Sequence, residues 1–416
     1  MRSPHIGQGS NSANVRRYNE RLLLQALRRA EHASKADLAR VANLTGTAVG
    51  SIIASLGDAG LIEFTGRRVE GQRGQPASLI RLAPRGAFGI GVRLDRTSIE
   101  TVLVNFAGEV LERRAHDMVL PHPSNVLEIV QRDIHDLLQS LTTQERNRLA
   151  GVGVAQPYNL GSWLRELCLP PETFLAWDEI DFPAELARAL SLPVFGENDG
   201  NAAAIAELFY GCGRQCDDFL YLFLGPAIGG GIAVDGDCLR GVSGNAGDFA
   251  VMPVPPSRLP SAPQPTGPWD ILLSRASLNA LTRHLRYSGE PVGSRASLED
   301  CIARRLPAVD EWLDDCIDAL APALRAMLCV LDVPVVVIDA DVDAGLVDQL
   351  MQRLRVALVA AAPEARGTPR LLRGTFGSDA GAIGAASLPM FFNFSPRAGI
   401  LKGAGAEPQE VNHVPL

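Results

Sequence analysis

Hydrophobic and polar positions divide the chain into two regions with different periodicities. Across residues 14–60 apolar residues recur at helical spacing, and across residues 61–82 two short β-rich runs flank a polar tip. From residue 87 onward, β-rich runs alternate with amphipathic stretches such as residues 124–139. The pattern predicts a small helical module followed by a larger α/β region.

The first region predicts three helices and a β ribbon. Asn14 can cap the first helix, Ser34 with Asp37 forms a capping-box pattern at the second, and Thr45 can cap the third. Strands are expected at 61–64 and 78–82, on either side of a glycine-rich basic tip. The first helix places its arginines, Arg21 and Arg28 among them, on the surface opposite its leucines. We therefore expect an all-α winged helix-turn-helix over residues 14–84.

Charge is distributed unevenly between these regions. The chain carries a net charge of −8, but residues 1–86 hold 13 basic and 6 acidic residues and the remainder holds 26 basic and 41 acidic residues. A basic head on an acidic body is typical of a protein whose head binds a polyanion such as DNA.

The third predicted helix is the expected reader of the DNA major groove, and arginines are the expected phosphate contacts. An alternative is a helical protein-interaction module, because three-helix units also mediate dimerisation. The candidate DNA-binding residues are Arg16, Arg17, Thr45, Thr47, Ser51, Arg67, Arg68 and Arg73.

Composition narrows the class of protein. Hydrophobic residues make up 46% and charged residues 21% of the 416 residues, as in globular proteins, and no run reaches the roughly 20 apolar residues that cross a bilayer. Seven cysteines lack the paired spacing of a zinc site, so we expect reduced thiols and no metal. Residues 1–13 lack the apolar core of a signal peptide and predict the flexible leader of a cytoplasmic protein, and residues 397–416 predict a disordered tail.

Several motifs of the second region occur in a recognisable order. They are Glu197-Asn198-Asp199, Gly229-Gly230-Gly231-Ile232, Gly247-Asp248 after Arg240-Gly241, and the late segment from Gly377 to Ala386. With the basic head, this order resembles the transcriptional-regulator branch of the ROK family (repressors, open reading frames and sugar kinases). The resemblance implies an actin-like, RNase H-like α/β domain of the sugar-kinase and Hsp70 type, with lobes at 87–195 and 196–395 and a sugar in the cleft between them.

The resemblance also indicates where a kinase would hold ATP. The first phosphate loop corresponds to residues 93–98, where Arg93, Asp95 and Arg96 replace the acid and glycines of the family pattern. Pro226 removes an amide donor from the second loop, and acids at 339–343 replace a third, glycine-rich turn. We therefore expect no ATP, no other cofactor and no enzyme activity, because phosphoryl transfer requires positioned and neutralised phosphates.

The resemblance places sugar-hydroxyl contacts on four residues. Asn198 and Asp199 match the family pattern, Asp248 stands in place of a glutamate, and Asp270 is a looser match. Val251 replaces the family histidine, and no cysteine lies between residues 253 and 268, so the family zinc site is not expected. For all four residues, capping and turn formation is the alternative role.

These expectations combine into a hypothesis of regulation. A sugar or sugar derivative closes the lobes of a homodimer or homotetramer, and the two heads no longer match half-sites on double-stranded operator DNA. The expected role is a regulator, most simply a repressor, of carbohydrate uptake or catabolism genes. Two alternatives stay open: an ATP-dependent sugar kinase with a regulatory head, and a DNA-binding protein whose body is only a dimerisation scaffold.

Overall fold

The computed structural model describes residues 11–68, 77–162, 164, 169–265, 267–360, 362 and 367–401. Its helices are α1 Ser12–Ala30, α2 Lys35–Ala42, α3 Gly46–Asp58, α4 Pro123–Gln139, α5 Thr143–Arg146, α6 Phe182–Leu190, α7 Asp199–Phe209, α8 Leu272–Ala276, α9 Leu278–Tyr287, α10 Arg295–Ala303, α11 Pro307–Leu331, α12 Ala344–Ala360, α13 Ala380–Phe394 and α14 Ala398–Leu401. Its strands are β1 Ala33–Ser34, β2 Ile62–Arg68, β3 Ala77–Leu82, β4 Phe88–Asp95, β5 Ser98–Asn105, β6 Val110–Asp117, β7 Leu149–Gln156, β8 Val194–Asn198, β9 Phe219–Leu224, β10 Ile228–Val234, β11 Asp237–Cys238, β12 Pro253–Val254, β13 Asp270–Ile271, β14 Val335–Ala340 and β15 Arg370–Arg373.

The chain folds into two units. The first contains the described residues up to Gln156, the segment Ile180–Glu197 and the described residues from Ala382 onward. The second contains Asn198–Gly381 and the described part of Pro157–Glu179. The described part of the basic head lies inside the first unit, and α13 continues from the second unit into the first. The boundaries at 84, 195 and 395 stay predictions. The helix Ala398–Leu401 also begins the segment predicted to be a disordered tail.

Helices α1, α2 and α3 begin at hydrogen-bonding caps. The side chain of Asn11 accepts a hydrogen bond from the Asn14 amide at 2.8 Å, so α1 starts earlier than the cap predicted at Asn14. Ser34 and Asp37 form the predicted capping box of α2. The Thr45 hydroxyl accepts from the Ala48 amide at the start of α3, as predicted. Local side-chain chemistry thus places the starts of these helices.

Three antiparallel strands complete the head, in the order β1-β3-β2. The backbone of β2 extends to Arg68, with a register shift between Phe64 and Gly66. The prediction that Arg67 and Arg68 belong to the loop tip is therefore wrong, because both pair with β3 along the ribbon. Arg73 lies outside the described residues.

Two arginines of α1 are buried, contrary to the surface position predicted for them. Arg21 and Arg28 each retain only 8% of their accessible surface. The Arg21 guanidinium donates to the carbonyl oxygens of Phe392 at 2.9 Å and Ser395 at 3.4 Å, at the end of α13. A helix C-terminus has unpaired carbonyl groups and partial negative charge, which a guanidinium satisfies. Burial and the charges of neighbouring arginines lower the pKa of Arg21 to about 10.

The main sheet of the first unit has the order β6-β5-β4-β7-β8. Strands β4, β5 and β6 are antiparallel neighbours, and β7 runs parallel to β4. Helix α13 packs directly on this sheet through glycines. A side-chain carbon at Gly153 would overlap the Ala385 carbonyl, and one at Gly91 would overlap the backbone of Ala386. The small residues of the late motif thus allow close contact between helix and sheet.

The main sheet of the second unit repeats this topology in the order β11-β10-β9-β14-β15. Strands β9, β10 and β11 are antiparallel, and β14 runs parallel to both β9 and β15. Helix α11 packs on α8, α9 and α12. It continues through Pro322, and the buried residues Leu320 and Leu324 pack in the core on either side of the proline. Among the described residues, no helix is both long enough and apolar enough to cross a membrane.

Candidate functional site

The start of α7 holds two of the four predicted sugar-binding residues. Asn198 ends β8 and caps α7, and its side-chain oxygen accepts hydrogen bonds from the Gly200 amide at 2.9 Å and the Asn201 amide at 3.3 Å. Asp199 is the first residue of α7, and its carboxylate accepts from the Gly200 amide at 2.8 Å. The partial positive charge of the helix N-terminus favours a carboxylate at this position. Both residues therefore have the capping contacts that were the alternative to ligand binding.

Three glycines bring the segment of Asp248 to the start of α7. A side-chain carbon at Gly200 would lie 2.5 Å from the Gly230 amide nitrogen, and one at Gly230 would lie 2.6 Å from the Gly247 carbonyl oxygen. Real side-chain carbons do not approach backbone atoms so closely. Gly247 has a φ of +92°, a conformation that glycine adopts without strain. The segments preceding Gly200 and following Gly247 thus converge on the glycine-rich strand β10.

Asp248 is held by a neighbour that the sequence did not single out. The side-chain amide of Asn245 donates to the Asp248 carboxylate at 3.0 Å. Burial raises the pKa of Asp248, and the hydrogen bond from Asn245 partly opposes that rise. The sequence alone does not predict this contact, because asparagines are common in glycine-rich turns and nothing distinguishes Asn245 from the others.

Asp270 lies on a separate pair of short strands. Strand β13 pairs with β12, and Asp270 is opposite Val254. One carboxylate oxygen accepts from the Ile271 amide at 2.8 Å and the Ser274 hydroxyl at 2.5 Å. The other oxygen is buried without a hydrogen-bond partner among the described residues. These contacts are local, so the observed geometry gives Asp270 a turn-forming role and one acceptor atom that remains available.

A cluster of buried acidic groups lies near the end of α7 and the end of β14. Glu207 accepts hydrogen bonds from the Cys212 amide at 2.9 Å and from the Thr375 hydroxyl at 3.0 Å, and burial raises its pKa. Asp339, at the end of β14, accepts from the Gly377 amide at 3.0 Å and from the Tyr221 hydroxyl at 3.3 Å. Burial raises the pKa of Asp339 as well. The cluster thereby joins α7 and β14 to the loop that follows β15.

The first hairpin of the α/β region contains the side chains predicted to replace a phosphate loop. Arg93 lies 3.3 Å from the carboxylate of Asp95 and 3.6 Å from that of Glu100. Arg96 is buried, and its carbonyl accepts from the Leu120 amide at 2.8 Å. Ion pairing within the hairpin therefore holds Arg93 and Asp95 in place. Among the described residues, no group of three or more histidine, cysteine, aspartate or glutamate side chains is arranged to bind a metal.

The exposed face of α3 carries the predicted base-contacting residues. Thr45, Thr47 and Ser51 are exposed, while Val49 and Ile53 are buried. On α1, Arg16 and Arg17 are exposed, and Arg16 forms an ion pair with Glu20 at 3.1 Å. The side chains of Arg67 and Arg68 lie outside the description. Helix α3 thus exposes a polar face and packs its apolar face against the rest of the head, which is the arrangement that a recognition helix requires.

Comparisons of the sequence with known proteins identify regulators and kinases. The protein-family model described as "ROK family" matches residues 89–390 of the sequence. An uncharacterized protein of Sinorhizobium fredii is 29% identical over 90% of this chain and 91% of its own length. The xylose repressor of Bacillus subtilis is 23% identical over 69% of this chain and 74% of its own length. The glucokinase of Thermotoga maritima is 28% identical over 72% of this chain and 96% of its own length.

Solved structures show the fold. A ROK family transcriptional regulator described as a homolog of the E. coli Mlc protein superposes with a TM-score of 0.65 and 21% identity, over 94% of this chain and 100% of its own. A ROK family glucokinase from Streptomyces griseus, in complex with glucose and AMPPNP, superposes with a TM-score of 0.56 and 21% identity, over 73% of this chain and 99% of its own. The fold is therefore the actin-like sugar-kinase fold that the resemblance implied.

These comparisons correct one prediction. The altered phosphate loops led to the expectation that the protein is not an enzyme. The likeness to glucokinases in sequence and in structure contradicts that expectation, so a kinase activity is a candidate for this chain. The ROK model covers more than half of the chain. The chain belongs to the ROK family.

Proposed function

We propose that the protein is a DNA-binding transcription regulator, most simply a repressor, whose ROK domain binds a sugar that changes operator affinity. The observation that carries this proposal is the head itself, where two capped helices, α2 and α3, meet at a short turn. Asn43 in that turn has a φ of 52°, and it ends α2 just before Thr45 caps α3. With β2 and β3 as its ribbon, this arrangement has the elements of a winged helix-turn-helix.

Sugar recognition is assigned to Asn198, Asp199 and Asp248, with Asp270 as a further candidate. Carboxylate and amide oxygens accept hydrogen bonds from sugar hydroxyls, and the glycine contacts around Gly230 fix the segments that carry the first three residues. A hundredfold change of operator affinity requires about 2.7 kcal/mol of difference in sugar affinity between the two states. Two or three hydrogen bonds formed in only one state supply about that much.

The regulator proposal is tested by selecting DNA with the purified protein. A random pool of duplexes is enriched on the wild-type protein, and the affinity of the selected duplex is measured with and without glucose or xylose. We expect a defined sequence, a two-fold repeat if the protein binds as a homodimer or homotetramer, and an affinity that changes at least tenfold with one of the sugars. Failure to enrich any sequence contradicts the proposal.

A second candidate function is sugar phosphorylation, and the position of Asp199 favours it. Asp199 is the first residue of α7 and precedes Gly200, whose backbone meets Gly230 of β10. A carboxylate at this position can accept a proton from a sugar hydroxyl. The test incubates the protein with ATP, Mg²⁺ and glucose and measures ADP release, with Asp199→Asn as the control. Turnover that this substitution abolishes establishes the kinase, and ADP release equal to that of the substituted protein excludes it for glucose.

A further inference from the structure

Helix α3 contains no basic residue. Its sequence, GTAVGSIIASLGD, has Asp58 as its only charged side chain. The exposed Thr45, Thr47 and Ser51 can exchange hydrogen bonds with DNA but cannot neutralise a phosphate. Phosphate neutralisation supplies most of the non-specific affinity of proteins for DNA. A positive charge at this face must therefore come from another element of the head.

Lys35, the first residue of α2, lies across α3. Its Nζ is 2.5 Å, and its Cε 3.2 Å, from the point where a side-chain carbon of Gly50 would stand. The lysine thus occupies space that exists because residue 50 is glycine. Lys35 is exposed and forms no ion pair with any residue that the structure describes. The nearby acid, Asp37, is already bound by Ser34 and Arg40.

Lys35 lines a cleft between α2, α3 and the ribbon of β2 and β3. The cleft has a volume of about 650 Å³, and its apolar walls include Ala36, Ala39, Ile53, Phe64 and Ile80. Phe64 retains 62% of its accessible surface, which is unusual for a phenylalanine because this residue type is mostly buried in folded proteins. Of the described residues that line the cleft, Lys35 alone is charged.

We propose that Lys35 is the phosphate-contacting residue of the recognition face, and that Gly50 positions it. In this arrangement, which rests on the proposed DNA-binding function, one strand of the duplex runs along the cleft. Its phosphate meets the Lys35 ammonium, and its deoxyribose packs on Phe64. The match of charge favours this occupant, because Lys35 is the cation that the described lining of the cleft offers, and residues 1–86 carry a net charge of +7.

The first test measures how salt weakens DNA binding. The probe is a 24-base-pair duplex enriched from a random pool by the wild-type protein, and fluorescence anisotropy gives its affinity between 50 and 300 mM KCl. For Lys35→Gln we expect an affinity about fivefold to tenfold lower and a log-log salt slope reduced by about 0.9, the value for one phosphate contact. The loss should be equal for duplexes with single base-pair changes, and Lys35→Arg should restore most of the affinity.

A pair of glycine substitutions separates the position of Lys35 from its charge. Gly50→Ala places a methyl group where the lysine lies, whereas Gly57→Ala adds the same group to the same helix with no atom within 4 Å. Both changes favour the helical state, so neither should lower the melting temperature. Only Gly50→Ala should weaken DNA binding. The double variant Lys35→Gln with Gly50→Ala should bind no more weakly than Lys35→Gln, because both changes remove the same contact.

The outcomes distinguish this proposal from the function on which it rests. A wild-type protein that enriches no duplex overturns both. A Lys35→Gln protein that binds the enriched duplex with an unchanged salt slope overturns only the role of Lys35. A loss confined to one base pair shows a base contact rather than a phosphate contact and overturns the proposal as well, as does a Gly50→Ala protein that binds like Gly57→Ala.

Discussion

Substitution of Gly200 by alanine tests whether close backbone contact positions the candidate sugar site. The new side-chain carbon would stand 2.5 Å from the Gly230 amide nitrogen. Because ordinary contacts begin near 3.5 Å, α7 and β10 must separate by about 1 Å. Overpacking of this kind costs about 1–3 kcal/mol, and Asn198 and Asp199, which precede Gly200, would move with the helix.

The expected effects are a lower melting temperature and weaker sugar binding. A loss of about 2 kcal/mol lowers the melting temperature of a unit of this size by about 4–8 °C. If two sugar hydrogen bonds of about 1 kcal/mol each are lost, the dissociation constant rises about 30-fold. Differential scanning calorimetry measures the first effect. Isothermal titration measures the second with glucose or xylose, whichever raises the wild-type melting temperature more.

Gly293→Ala provides the control, because no atom lies within 4 Å of the side-chain carbon it would add. That variant should melt and bind sugar like the wild type. A Gly200→Ala protein with wild-type melting and wild-type affinity would refute the packing argument. A protein that melts earlier but binds sugar with unchanged affinity would show that Asn198 and Asp199 do not contact the ligand.

Two further substitutions test other contacts. Arg21→Ala should lower the free energy of unfolding by about 2 kcal/mol, because a buried, charged donor to the end of α13 is lost. Arg16 is exposed, so Arg16→Ala should lower the free energy of unfolding by less than about 0.5 kcal/mol. Chemical denaturation measures both losses, and equal losses would contradict the effect of burial. Sugar affinity should fall as pH decreases through the pKa of Asp248. Burial raises that pKa, so the fall should occur at a pH above the usual range of an aspartate. Titration calorimetry of Asp248→Asn should show no such fall. An identical pH profile in the two proteins would exclude a contact from the Asp248 carboxylate.

The sequence predicted those parts of the head that depend on local chemistry. Ser34 and Thr45 bond to amides three residues away, so their capping roles follow from spacing alone. Arg21 instead bonds to Phe392, 371 residues away, and no periodicity within α1 reveals that partner. A polar residue on the predicted surface of a helix becomes buried when a distant helix end supplies acceptors for it.

The candidate site shows the same division between local and distant contacts. The resemblance selected Asn198, Asp199 and Asp248, and the glycine contacts bring their segments together on β10. It did not reveal that Asn245 donates to Asp248, because turn-forming asparagines are common. The sequence distinguishes the acids at 339–343 only as replacements for a glycine-rich turn. Asp343 bonds to the Gly345 amide at the start of α12, but Asp339 is buried and bonds to Gly377, on a loop that only the folded sheet brings near.

The most direct test of the account measures binding of the enriched duplex to the wild-type protein by anisotropy, with and without saturating glucose or xylose. The proposed function predicts that one sugar changes the dissociation constant at least tenfold, and that Asn198→Ala binds the duplex as tightly as the wild type but no longer responds. An affinity for DNA that neither sugar changes, although calorimetry shows the sugar bound, would contradict the coupling of sugar binding to DNA binding on which the proposal depends.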